Sequence, residues 1–155
     1  MELKKLIIND IKSKGQEVKV RNMLIKEIIF YSFIVKTFDY ELPKIEEVYV
    51  KQKIEKYRIQ LNEVIKILKD DIYSRRAVIQ FDMKDKLPEC IESLQFLIRN
   101  NNLYCFVNQR SLDVENKLYT DIEIAKEFCN EIEKQLNVKL SYIKFMVNSC
   151  HYYLK

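Results

Sequence analysis

Residues 87–113 read LPECIESLQFLIRNNNLYCFVNQRSLD. Two runs in this stretch, 91–99 and 103–110, are rich in β-branched and aromatic side chains and predict strands. Asn100-Asn101-Asn102 between them is turn chemistry, because Asn tolerates left-handed backbone, so the two strands form a hairpin. Beyond the hairpin, residues 118–136 place Leu118, Ile122, Ala125, Cys129, Ile132 and Leu136 on one side of a helix. A last strand, 138–153, ends in HYY. Upstream, RAVIQF (76–81) predicts a strand, and 59–70 a helix through Leu61, Val64, Ile65 and Leu68. A polar, Pro-containing stretch at 39–47 separates that helix from KEIIFYSFIVKTF (26–38), which suits a buried strand. Residues 2–14 carry Leu3, Leu6, Ile7 and Ile11 on one helical face and stop at Lys14-Gly15. The order predicts an α+β fold: a largely antiparallel or mixed sheet with helices packed against it.

The chain has 155 residues, enough for one domain with one core, expected to span 1–155. One Gly and two Pro, against the usual roughly 7% and 5%, argue against disorder and long linkers. The net charge of +4 suits an anionic ligand. No Lys/Arg block interleaved with aromatics calls for nucleic acid. No apolar run approaches the roughly 20 residues of a membrane span. The opening MELKKLIINDIK lacks a signal-peptide core, so a cytoplasmic location is expected. Cys90, Cys105, Cys129 and Cys150 form no C-x-x-C pair, and the single His is too few for a typical zinc site; no metal is expected.

Four clusters carry possible chemistry, each beside a plainer reading. Ser74-Arg75-Arg76 precedes a strand, where two guanidiniums could grip a phosphate or simply be solvated. Gln109-Arg110-Ser111-Leu112-Asp113 ends a strand; it offers phosphate donors and a carboxylate, or is a charged turn. Cys90, after Pro88-Glu89, stands at a loop-to-strand junction. Near Arg it would have a lowered pKa and act as a thiolate; otherwise it is an inert thiol. His151 and Tyr153 share a strand face and could reach one ligand hydroxyl, or could be structural.

In their order and spacing these clusters resemble the thymidylate synthase family. The family reads roughly L-P-P-C-H, then Q-F, then Q-R-S-x-D, and 87–113 aligns with it without a gap. The register continues to Asp121, where the family has a pyrimidine-reading Asn or Asp, and holds at His151 and Tyr153, which match H-x-Y. YSRRAVIQF (73–81) is similar to the family's S-R-R segment. GQEVKVRNMLIKEI (15–28) resembles the opening of the hydroxymethylase-like branch, with Asn22 in place of Gly. The resemblance implies that Arg21, Arg75, Arg76, Arg110 and Ser111 bind the phosphate of a pyrimidine nucleoside monophosphate. It implies a homodimer, since the S-R-R pair of that family reaches into the neighbouring subunit. It implies Cys90 as the nucleophile that adds to C6 and makes C5 enamine-like, with 5,10-methylenetetrahydrofolate supplying the one-carbon unit. Arg110 would favour the thiolate by charge. Asp113 matches a pterin contact, Tyr57-Arg58 loosely matches Y-G-x-R, and His151 and Tyr153 match the sugar-hydroxyl contacts.

Asp121 bears on the base. Uracil offers an N3–H donor and an O4 acceptor, which an Asn amide satisfies. Cytosine offers an amino donor at N4 and an acceptor at N3; a carboxylate accepts from N4–H₂ and, when protonated, donates to N3. Asp here resembles the cytidylate and deoxycytidylate hydroxymethylases, in which water completes the reaction at the exocyclic carbon. The plainer alternative is a carboxylate suiting the helix dipole in the first turn of 118–136. The sequence also departs from the family. The segment that holds its catalytic Glu and cofactor-stacking Trp is reduced to about 39–56, the chain has no Trp, and only Glu46 or Glu47 offers a replacement acid. The His after the Cys is Ile91, and L-G-x-P-F-N has become ENKLYTD (115–121). With Lys155 the last residue, the family's C-terminal tail is expected to be absent. Three readings follow: a minimal CMP or dCMP hydroxymethylase, a dUMP-methylating thymidylate synthase, and a non-enzymatic nucleotide-binding or scaffolding relative.

Overall fold

The computed structural model describes residues 2–84 and 89–155; Leu87 and Pro88 lie outside the described residues. The elements run α1 (Glu2–Lys14), β1 (Gln16–Val20), β2 (Met23–Val35), α2 (Lys44–Lys56), α3 (Arg58–Asp70), β3 (Val78–Gln80), β4 (Ile91–Arg99), β5 (Asn102–Asp113), α4 (Leu118–Leu136) and β6 (Lys139–Tyr153). The strands form one sheet in the order β1-β2-β6-β5-β4-β3. Every neighbouring pair is antiparallel except β5 and β6, which run parallel. A parallel pair needs a long crossover, and α4 supplies it. The α+β expectation and the mixed sheet are correct.

The hairpin forms as its turn chemistry requires. Arg99 pairs with Asn102, and Asn100 and Asn101 both take positive φ, 51° and 61°, which is the two-residue turn that matches strand twist. Three elements differ from expectation. The strand expected at 26–38 is Met23–Val35, and a hairpin partner, β1, precedes it. The stretch expected to be irregular becomes helix from Lys44 onward. The strand expected at 76–81 is shortened to three residues, 78–80.

The helices bury apolar stripes against one face of the sheet. Leu61, Val64, Ile65 and Leu68 of α3 and Ile122, Ala125, Phe128 and Ile132 of α4 meet Leu94, Phe96, Val107, Ile143 and Phe145 from the strands. In α1 only Ile7 and Ile11 are fully enclosed, and Leu6 faces solvent. Gly15 ends α1 for a steric reason: a Cβ there would lie 2.5 Å from the Ile11 carbonyl oxygen and 2.9 Å from that of Glu27. Among the described residues no helix covers the opposite sheet face, which presents Phe30, Ile34, Tyr104, Phe106, Tyr142 and Met146, all exposed or half-buried.

A line of irregularity crosses the sheet and prepares the site. The β2–β6 register skips Phe30 opposite Asn148, and the β5–β6 register skips Arg110 opposite Asn148. Phe30 takes φ 59°, strained for an aromatic residue. The β4–β5 register shifts between Ile91 and Ser93, against Gln109 and Asn108. Such breaks re-aim side chains, and here they re-aim the ends of β5 and β6 and the entry to β4.

Candidate functional site

Beyond that line, β5, β6, the entry to β4, α2 and the start of α4 enclose a cavity of about 520 Å³, a size that accommodates a small-molecule ligand. Cys90, Ser111, Asp113, Asp121, His151 and Tyr153 all line it. Parallel pairing sets Ser111 beside Ser149 and Asp113 beside His151, and Tyr153 follows two residues on along β6, so β5 and β6 place four of these side chains. The rings of His151 and Tyr153 meet edge to face at 5.4 Å.

Arg110 is tied to the cysteine. Its backbone N–H donates to the Cys90 carbonyl at 2.9 Å, its Nε to the Glu89 carbonyl at 3.1 Å, and its Nη2 approaches Cys90 Sγ at 3.8 Å. Cys90 is exposed toward the cavity, whereas Cys105, Cys129 and Cys150 are buried; all four are free. The expected lowering of the thiol pKa does not occur. Burial pushes it up, Arg110 pulls it down without overcoming this, Asp121 and Glu89 push it further up, and Lys117 pulls it down. Without a ligand Cys90 is therefore held as the thiol.

Asp121 sits in the first turn of α4 with its carboxyl group enclosed. Gln109 Nε2 donates to Oδ2 at 2.5 Å and to the Ser111 carbonyl at 2.9 Å. Burial pushes the Asp121 carboxyl up to about 7, against the lowering effects of the Gln109 hydrogen bond, Lys117 and Lys53. The helix-dipole preference for a carboxylate does not prevail. Asp113 is partly committed: Oδ1 accepts from the Glu115 and Asn116 backbone N–H groups and Oδ2 from the Asn116 side chain at 2.8 Å. Those bonds shape the loop into α4.

Several expected residues lie elsewhere in the single chain. Arg21, in the β1–β2 turn, and Arg75 and Arg76, before β3, are exposed and do not line the cavity. Tyr57 is buried at the α2–α3 junction, stacked on Phe81 at 4.4 Å. It too is absent from the cavity wall; its hydroxyl accepts from the Asp82 N–H at 2.8 Å and donates to Glu89 at 3.4 Å. Neither candidate replacement acid is present. Glu46 accepts from Thr120 Oγ1 at 2.5 Å, and Glu47 lines a separate cavity of about 480 Å³. That second cavity also holds Glu41, Glu123 and Glu127, so four glutamates outnumber the two lysines, Lys51 and Lys126, and no cysteine lines it.

The sequence reading missed Tyr49, Lys53, Glu89 and Lys117, all in the wall. Lys53 binds Glu89 through both carboxylate oxygens, at 2.5 and 2.6 Å, and Lys56 adds a contact at 3.2 Å. One signal was available: in α2, Val50, Lys53 and Ile54 share the buried face, so a lysine occupies a core position.

Residues 15–155 match the family model described as thymidylate synthase, which takes in every residue of the cavity wall. Among the described residues no helix is long and apolar enough to cross a membrane.

Proposed function

The chain belongs to the thymidylate synthase family, and from that premise we propose that it hydroxymethylates C5 of a cytosine nucleoside monophosphate, CMP or dCMP. At the coarser level the family makes it a folate-dependent transferase acting on C5 of a pyrimidine nucleotide. The observation that carries the cytosine reading is Asp121: enclosed, fixed by Gln109, in the same cavity as Cys90, and raised to about 7. Near neutral pH such a group accepts from N4–H₂ and, in its protonated fraction, donates to N3.

Cys90 adds to C6, and the negative charge this places on the ring makes C5 nucleophilic. The resting thiol must lose its proton first. Occupation of the cavity displaces water, and Arg110, within 3.8 Å of the sulfur, then stabilises the thiolate more strongly in a drier site. Ser111 and Arg110 receive the phosphate, and His151 and Tyr153 the sugar. When bound, 5,10-methylenetetrahydrofolate supplies the one-carbon unit. The wall offers such a group an aromatic ring, Tyr49, with the Lys53 ammonium 4.8 Å over it, and a carboxylate, Asp113.

Homodimerisation through the helix-free sheet face completes the proposal. Phe30 is 79% exposed and Ile34 45%, in a patch that a second copy would bury. The same pairing would let Arg75 and Arg76, and Arg21 with them, serve a partner's phosphate site. We place the reaction in the cytoplasm, where four free cysteines stay reduced. A binding-only relative is favoured by one observation, the upward displacement of the Cys90 thiol. Tritium release from [5-³H]dCMP or [5-³H]CMP separates the readings, because C6 addition labilises C5–H. Absence of release at saturating nucleotide, with and without folate, would leave only the binding role.

A further inference from the structure

A lysine and a glutamate meet beside the nucleophile where neither is needed to fill space. Lys53 stands on the buried stripe of α2 between Val50 and Ile54 and is only 9% exposed. Its ammonium lies 4.8 Å over the Tyr49 ring and grips both oxygens of Glu89. Enclosing such a pair costs desolvation of both charges and is weak evidence for stability, since an apolar pair of similar volume would serve the core as well. Its location is specific. Glu89 precedes Cys90 in the chain, both line the cavity, and Arg110 ties them together by binding the Glu89 carbonyl and approaching the Cys90 sulfur.

We propose that Lys53 is a positioning residue for the Cys90 nucleophile: it caps the Glu89 carboxylate, shields the thiolate from that neighbouring charge, and anchors the 89–90 segment and Arg110 to α2. This rests on Cys90 being the nucleophile. A bare carboxylate one residue from the sulfur opposes thiolate formation; a carboxylate bound at both oxygens opposes it far less. Burial alone would lower the Lys53 ammonium pKa, but its hydrogen bonds to Glu89 and Tyr49 hold it above the ordinary lysine value, so the cap stays charged. Burial pushes the Glu89 carboxyl up, and Lys53 and Lys56 outweigh that and hold it ionised. The other charged or titratable groups facing the thiol are Tyr49 from α2, Arg110 from β5, Asp113 at its end, Lys117 just before α4, Asp121 from α4, and His151 and Tyr153 from β6.

The test is the pH profile of Cys90 alkylation by iodoacetamide, read by intact mass with Cys90→Ser as the blank, in Lys53→Met, Glu89→Gln and the double variant. Each pKa unit changes the thiolate fraction about tenfold below the pKa. Lys53→Met removes the cap from both oxygens, leaves Lys56 at 3.2 Å as the remaining ammonium on Glu89, and should slow alkylation at pH 7.5 by about three- to tenfold. Glu89→Gln removes the charge, should speed it by a similar factor, and keeps its side-chain volume should Lys53→Met fold poorly. The double variant should return to within about twofold of wild type. A merely structural pair would lower the melting temperature and leave the profile in place. An unmoved profile in Glu89→Gln, or a double variant no faster than Lys53→Met, overturns the proposal and leaves the nucleophile assignment standing. Tritium release persisting in Cys90→Ser overturns that assignment instead, and a moved profile would not rescue it.

Discussion

Replacing Asp121 with Asn should reverse the base preference, and the reason lies in Gln109. That side chain is 1% exposed, and its Nε2 spends both hydrogens, one on the Ser111 carbonyl and one on Asp121 Oδ2. It therefore offers position 121 a donor. An Asn at 121 must turn its oxygen to Gln109 and its NH₂ to the base. The NH₂ then meets the cytosine amino group donor to donor, while uracil presents O4, an acceptor. A buried polar group left without its partner costs about 1–3 kcal/mol, and about 1.4 kcal/mol is tenfold in affinity. Asp121→Asn should accordingly weaken dCMP about 5- to 150-fold and strengthen dUMP, so that dUMP binds better. Isothermal titration of both nucleotides into both proteins measures this, and using monophosphates throughout cancels the phosphate contribution. If Asp121→Asn still prefers dCMP, the orientation imposed by Gln109 is wrong, and with it the assignment of Asp121 as the reader of the base.

The same carboxyl makes stability depend on pH. Its folded pKa is about 7 against an ordinary 3.8; a raised acid contributes stability that is full below the ordinary value and lost as pH rises through the folded one. The loss corresponds to at most about 4 kcal/mol. Urea denaturation should show Asp121→Asn near parity with wild type at pH 4 and more stable at pH 8; equal curves at both would refute the raised pKa. Gly15→Ala forces a Cβ against two backbone carbonyls and should cost about 1–3 kcal/mol, a fall in melting temperature of about 2–12 °C; an unchanged melt would refute the close approach. Phe30→Asp should convert a dimer to monomer in sedimentation velocity without unfolding it, because Asp tolerates the positive φ there. Persistence of the dimer would move the interface off the bare sheet face. Cys90→Ser should abolish tritium release by at least about 10³-fold and leave dCMP affinity within about threefold.

What could be read in advance followed the strength of local signals. The β4–β5 hairpin announced itself because two consecutive Asn can adopt left-handed backbone, and α4 because Leu118, Ile122, Ala125, Cys129, Ile132 and Leu136 recur at helical spacing. β1 was silent: QEVKV has an exposed pattern with no inward residue fully enclosed, so alternation had nothing to act on. α2 was silent for a related reason. Ile45, Val48 and Tyr49 are exposed, and a charged Lys53 interrupts its buried stripe. Missing α2 meant missing Tyr49 and Lys53 from the wall. Cys90, Ser111, Asp113, Asp121, His151 and Tyr153 could be named from motifs: β5 and β6 bring Ser111, Asp113, His151 and Tyr153 together, and Cys90 before β4 and Asp121 in the first turn of α4 join them in the wall. Tyr49, Lys53 and their contact with Glu89 arise from how α2 packs beside the entry to β4, and the one local sign of it is a lysine on the stripe of Val50 and Ile54.

That division explains why the charge expected on Cys90 was misjudged. The motif places Arg110 near the sulfur, and so it is. The motif says nothing of the enclosure, of Asp121 and Glu89 on the wall, or of the lysines that offset them, and burial is the largest of these effects. A thiol held up at rest and a carboxyl held near neutrality have a common cause, burial, which disfavours both charges. A dianionic nucleotide entering it brings charge that Arg110 and Lys117 can meet, and it replaces water around the sulfur with a ring that the thiolate attacks. The resting protonation states therefore describe a site in which reactivity depends on occupancy. Alkylation of Cys90 should accordingly be blocked by bound dCMP, whereas inorganic phosphate, which engages Arg110 but leaves C6 absent, should leave the sulfur accessible to iodoacetamide. Equal protection by both ligands would show that nucleotide does not cover the thiol.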